Sequence, residues 1–200
     1  PNEMAQLESI IQPTYGILTN IGSAHDEGFP NREAKIAEKI KLFKHCTTIF
    51  LQKNEAIEAL LPSGCHKQTW SFEDESAAVF VTQKKQENST ELTFKYRALT
   101  FSAVLPFTDE YSIENAISCV NFMLFIGEDI AYIQKRLAEL YPVELRLQTK
   151  KGIQNCIVID DSYSLDYPSL KIALDFLEQQ KLHDKKTVIL SDIFSSGIAN

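Results

Sequence analysis

Apolar positions along this chain switch between short continuous runs, strict alternation and helical spacing, and the switches divide it into elements. Residues 4–13 (MAQLESIIQP) read as a short helix ended by Pro13, which cannot continue the ladder. Ile17 and Leu18 belong to an apolar run that stops at Thr19-Asn20, which predicts a buried strand; Gly22 permits a sharp turn after it. Ile36, Ala37, Ile40 and Phe43 then recur at helical spacing, with Asn31 as the N-cap and Glu33 in the first turn. Lys39 stands about one side-chain width off that stripe, a half-buried position from which it reaches inward. Residues 47–51 (TTIFL) predict a second buried strand, and strand, helix, strand in that order implies a right-handed parallel crossover.

Residues 54–61 fit a short helix closed by Pro62-Ser63-Gly64. Beyond residue 69 the texture changes: 77–83, 91–95 and 98–105 read as strands of a small antiparallel meander. Residues 112–126 form a mostly apolar helix closing at Gly127, and 129–140 another before Pro142. A new unit follows: a strand over 153–159, a helix over 169–179 with Leu170, Ala173, Leu174 and Leu177 on one face, and a strand over 187–190. The fold class is α/β: part of a parallel-sheet domain with an antiparallel meander (residues 1–142), then the first βαβ of a doubly wound, Rossmann-like domain (143–200).

Composition narrows the function classes. The 200 residues are 44% hydrophobic and 24% charged, ordinary for a soluble globular protein. The net charge of -7 without a basic run argues against nucleic-acid binding. No apolar run approaches a membrane span, and no leader precedes a cleavage site. Cys46, Cys65, Cys119 and Cys156 are widely spaced in apolar segments, which suits buried, reduced thiols in the cytoplasm. The chain begins at Pro1 and reads as a piece of a longer protein.

Candidate chemistry concentrates in a few places. Asn20, Ser23, His25, Asp26 and Glu27 crowd the loop after the first strand, where open α/β sheets collect ligands. The plainer reading of that stretch is a loop joining a strand to a surface helix with a solvated lysine. Asp160-Asp161 and Asp192 close two strands predicted to be parallel neighbours, an acidic rim or simple turn caps. His45-Cys46 and Cys65-His66 suggest zinc weakly, because neighbours on a strand face opposite ways and no C-x-x-C is present. Neither a G-x-x-x-x-G-K-[ST] nor a G-x-G-x-x-G stands in these residues.

Taken in order, TNIGSAH (residues 19–25) with Lys39 in AEKIKLF, YSIENAISC (111–119), PVELRLQ (142–148), IDDSYSLDYPSL (159–170) and ILSDIFSSG (189–197) resemble the Mur ligases, ATP-dependent amide-forming enzymes of peptidoglycan precursor synthesis. The D-S-Y of residues 161–163 looks most like the MurF type, which adds D-alanyl-D-alanine, and the texture is similar to bacterial forms fused to an alanine racemase. The resemblance implies that His25 is a magnesium ligand, that Asn20 shapes its loop, and that Lys39 carries a carbamate. A carbamate turns a cation into an oxygen-bearing anion, which suits hard magnesium. It further implies that Asn115 contacts the adenine, that Arg146 faces the phosphates, and that Asp161 holds the ribose with Tyr163 nearby. ATP and Mg2+ are the implied cofactors; a UDP-MurNAc-peptide and D-Ala-D-Ala are the implied partners.

The match has departures. The family's D-S-Y-N-A-N reads D-S-Y-S-L-D here, and Ser191 stands where a glycine is usual. The phosphate-binding loop and the amino-terminal domain that grips the UDP-sugar peptide are not in these residues, so this chain alone is expected to be inactive. Two alternatives stay open: another Mur-type or folylpolyglutamate-type ligase with a different acceptor, and a non-catalytic nucleotide-binding or regulatory module.

Overall fold

The computed structural model describes residues 3–22, 28–141, 147–163, 165, 167–181, 183 and 185–191. It divides into two compact units, residues 1–21 with 29–140, and residues 22–28 with 141–200.

The first unit opens with α1 (Glu3–Ile11) and β1 (Tyr15–Leu18). Next comes α2 (Arg32–Ile40), which runs into a 3-10 turn (Lys41–Phe43). Asn31 caps α2 as expected, its side-chain oxygen accepting from the Ala34 N–H at 2.8 Å. β2 (Thr48–Gln52) pairs parallel to β1, the predicted crossover product. After the single-turn α3 (Glu55–Glu58) comes β3 (His66–Ser71), a strand absent from the sequence reading.

β3 pairs parallel to β2, and β4 (Val79–Lys85) parallel to β3. β5 (Thr90–Tyr96) and β6 (Leu99–Leu105) add antiparallel strands. The meander is continuous with the parallel strands: one six-stranded sheet runs β1-β2-β3-β4-β5-β6. α4 (Glu110–Phe125) and α5 (Ile130–Ala138) complete the unit.

Strand alternation sends side chains to both faces of the sheet. Leu18, Ile49 and Leu51 pack with Ile36, Ile40 and Phe43 of the α2 segment. Gly16 shares that face, where a Cβ would stand 2.3 Å from the Phe43 ring, so only glycine lets the ring lie so close to the strand. Phe50 points the opposite way and meets Phe122 and Phe125 edge-on, both ring pairs at 5.2 Å. α4 thus covers the face opposite α2. The larger core joins α4 and α5 to β3–β6 around Trp70, Leu92, Phe94 and Leu105.

Ala37 is exposed, so the α2 stripe is narrower than its spacing suggests. Lys35 and Glu38 on its flank are buried instead, at 4% and 7% exposure. For Glu38 the cause is α1, which packs against α2 and the 3-10 turn, with Glu38 accepting from the Met4 N–H and Glu8 bonding His45 at 2.6 Å.

The second unit departs more from expectation. Residues 153–155 form a 3-10 turn, and the strand, β8, is Ile157–Asp160. β8 pairs antiparallel with β7 (Gln148–Lys151) rather than with a parallel neighbour. α6 spans Tyr167–Gln179, with Leu174 41% exposed. Residues 187–190 form no strand, and Ile189 is 94% exposed. An apolar run becomes a strand only where a neighbour takes its backbone groups. No βαβ is therefore closed among the described residues. The cysteines also differ from expectation: Cys46 is buried, Cys65 intermediate, and Cys119 and Cys156 exposed.

Candidate functional site

β1 ends at Leu18, and the chain leaves the sheet through Thr19 and Asn20. The Asn20 side chain lies close enough to the carboxyl of Glu114 in α4 to act on its charge. At the other end of β1, Tyr15 meets Phe122 at 6.1 Å and Phe125 at 6.0 Å between ring centres. α4 therefore runs antiparallel to β1 and brings its first turns to the carboxyl rim of the parallel strands, where ligands of such sheets collect. Asp109 caps the helix, accepting from the Ser112 N–H at 2.8 Å.

Asn121 fixes the helix in register. Its amide donates to the Gln68 carbonyl at 2.8 Å, and the Gln68 amide donates to Asn121 Oδ1 at 3.1 Å, both side chains buried. Asn115, one residue past Glu114 and so turned about 100° from it, is exposed. Its amide is free to meet a planar polar ligand. Glu114 is half-buried. Burial pushes its carboxyl pKa up, the Glu110 charge adds to this, and the Asn20 amide works the other way. Sequence reasoning passed over Glu114, and no local signal marks it, since its partner lies in another element.

The other predicted residues distribute as follows. Lys39 is exposed on α2, on the opposite face of the sheet from α4, and not half-buried as its position beside the stripe implied. In the second unit, Asp161 Oδ1 accepts from the Leu147 N–H at 3.1 Å, and Tyr163 is 63% exposed. Asp160 is bound by Lys150 Nζ at 2.7 Å and by the Ser162 hydroxyl at 2.6 Å, and these contacts hold its carboxyl below the usual range. That occupied carboxylate behaves as a turn cap. Ser23, His25, Asp26, Glu27, Arg146, Ser164, Asp166 and Asp192 lie outside the described residues, so the acidic rim with Asp192 is not formed among those described.

Among the described residues no three His, Cys, Asp or Glu side chains converge on a metal position. The oxygen donors at the β1 exit, the Asn20 amide and the Glu114 carboxylate, are the hard type that magnesium takes. They fit a magnesium–nucleotide neighbourhood in chemistry without forming a ligand set.

A family model described as the Mur ligase middle domain matches residues 1–123. The UDP-N-acetylmuramoyl-tripeptide–D-alanyl-D-alanine ligase of Bacillus subtilis is 24% identical over 200 residues, covering 98% of this chain and 43% of the relative. MurF from Acinetobacter baumannii superposes with a TM-score of 0.77 at 23% identity, over 88% of this chain and 40% of that one. The MurF ligase of Thermotoga maritima, solved with ADP, gives 0.74 at 21%, over 90% and 42%. At these identities the structures establish the fold, and the chain spans about two fifths of the length of these relatives. The match over the first 123 residues identifies the chain as a member of the Mur ligase family.

Proposed function

We propose that the parent protein is an ATP-dependent amide ligase of peptidoglycan precursor synthesis, of the MurF type, acting in the cytoplasm. The family match over residues 1–123 is the observation that carries this reading. The D-S-Y at residues 161–163 and the MurF relatives that cover both units favour D-alanyl-D-alanine as the acceptor and a UDP-MurNAc-tripeptide as the donor. Residues 1–142 correspond on this reading to the later part of the central ATP-binding domain, and 143–200 to the start of the carboxy-terminal domain.

The chemistry asks for a γ-phosphoryl transfer to the peptide carboxylate, giving an acyl phosphate and ADP. The dipeptide amine then attacks the acyl carbon and phosphate leaves. Magnesium, when bound, supplies neutralisation of the transferring charge. This chain's own residues bind and orient. Asn115 offers an amide to the adenine from the rim end of α4. Asn20 sets the start of the loop that carries His25, a metal ligand on this reading, with Lys39 as a carbamate the second. Asp161 and Tyr163 meet the ribose, and Arg146 meets the phosphates with a fork suited to them. Helices cover both faces of β1 and β2, so ligand contacts of these strands fall at their carboxyl ends.

The second reading, a Mur-type ligase with another acceptor, is favoured by one observation: the loop after Tyr163 reads Ser164-Leu165-Asp166, not N-A-N. The two are separated by phosphate release from ATP by the full-length parent protein with magnesium, a UDP-MurNAc-peptide and a panel of amines. Stimulation by D-alanyl-D-alanine supports the MurF assignment. Stimulation by a different amino acid moves the acceptor and keeps the family. No stimulation by any amine overturns the ligase reading in favour of a non-catalytic module.

A further inference from the structure

β1 is the first strand of the six-stranded sheet, and among the described residues no strand pairs with its outer side. We propose that a strand from the segment of the parent protein upstream of α1 docks on that edge and continues the sheet there. The inference depends on the fold and on the greater length of the relatives, not on the reaction or its acceptor.

Three observations carry it. The first is the contrast between the two sheet edges. At the β6 end, α5 packs against the edge strand, and the Gln134 amide donates to the Ser102 carbonyl at 2.7 Å. That edge is covered in the way proteins protect one from stray pairing. β1 reads YGIL, with no charge and no proline within it, and half of its backbone groups point away from β2. The second observation is exposure. Ile49, Phe50 and Leu51 of β2 are fully buried, as parallel strands covered on both faces are, whereas Tyr15 and Ile17 are 47% and 40% exposed. Tyr15 already meets Phe50, Phe122 and Phe125, so its open flank is the one beyond the sheet edge. The third is chain direction. β1-α2-β2 and β2-α3-β3 are successive parallel crossovers, and Ile36 and Ile40 of α2 share one core with Ile57 of α3, so both helices lie on one face. Crossovers of one hand on one face advance the strands in one direction. α1 packs against α2 and the 3-10 turn, in the same layer, and residues 12–14 lead from it into β1. The same hand puts the strand that feeds α1 on the far side of β1 from β2, adjoining it or with one strand between. The chain after Leu140 belongs to the second unit, so upstream chain fills either position. A strand that feeds α1 ends at the same rim as β1, on the side where the chain exits through Asn20.

The test uses the full-length parent protein, isotope-labelled, and follows the amides of residues 15–18 by hydrogen exchange. In a strand paired on one side only, alternate amides face solvent. The expected result is that all four exchange within about tenfold of one another. An alternating pattern, in which the two outward amides exchange more than about tenfold faster than the two that face β2, overturns the proposal. The occupant is identified by backbone NOEs from the outward amides, which are expected to reach residues upstream of Pro1. Contacts only to residues beyond Asn200, contacts to a second copy in a mixed-label sample, or no contact at all overturn the proposal as well. Neither readout needs ATP or an amine. Failure here therefore leaves the ligase assignment standing, and a parent protein without ligase activity leaves this inference standing.

Discussion

Single residues in this chain carry opposite electrostatic signatures, and each has a pH consequence. Asp74 is held down to about 2 by Lys53, whose ammonium lies 2.7 Å away, and by Ser76. An acid lowered on folding adds stability above its unfolded value, near 3.8, and loses it as the pH falls toward 2. Asp74→Asn should therefore unfold at a lower temperature than wild type at pH 6, and the gap should close at pH 2 in parallel thermal melts. Glu114 behaves in reverse. Its folded pKa is raised, so its favourable contribution is present below its unfolded value and lost as the pH rises through the folded value. Glu114→Gln is expected to melt higher than wild type at pH 7 and equal to it at pH 3.5. Asn31→Ala removes the α2 cap and should cost about 1 kcal/mol in urea unfolding. The cap was legible because its donor lies three residues on, inside the same window of sequence. Glu114 was not legible, because Asn20 lies far back in the chain. Burial of Glu38 was hidden for a related reason: α1, which covers it, does not enter a helical-periodicity argument about α2.

Elements repeat that contrast. β1 and β2 were readable from their continuous apolar runs, since parallel strands covered on both faces need no polar alternation. β3 was not, because Gln68, Thr69 and Ser71 look like surface residues yet are buried. Gln68 is tolerated there by its pairing with Asn121, a partner invisible to local pattern. Asn121→Leu should leave the Gln68 amide and carbonyl without their helix partner, at about 1–3 kcal/mol by chemical denaturation. Gly16→Ala, which forces a methyl into the Phe43 ring, should cost about 1–3 kcal/mol in the same assay. Residues 187–190 show the converse error. Their apolar run matches a strand, but a run fixes a strand only together with a pairing edge, and here the three side chains of Val188, Ile189 and Leu190 are exposed.

At the scale of the whole molecule, the chain carries two units and about two fifths of the length of its relatives. The candidate rim in the first unit holds Asn20, Glu114 and Asn115, with Asp161 and Tyr163 described separately in the second unit. Among the described residues no helix is long and apolar enough to cross a membrane. The family was legible from motif order across the chain, while the geometry that joins Asn20 to α4 required the fold. On the ligase reading the 200-residue chain alone releases no phosphate from ATP, and Lys39→Ala abolishes turnover in the full-length parent protein while changing little in a binding module. The most direct test of that reading is the product itself. The full-length parent protein is incubated with ATP, magnesium, a UDP-MurNAc-tripeptide and D-alanyl-D-alanine, and the nucleotide-sugar peptide is weighed by mass spectrometry. The account predicts a gain equal to the dipeptide less one water, with ADP and phosphate formed one for one with the new amide. An unaltered UDP-MurNAc-tripeptide, with ATP intact in the complete mixture, would contradict it.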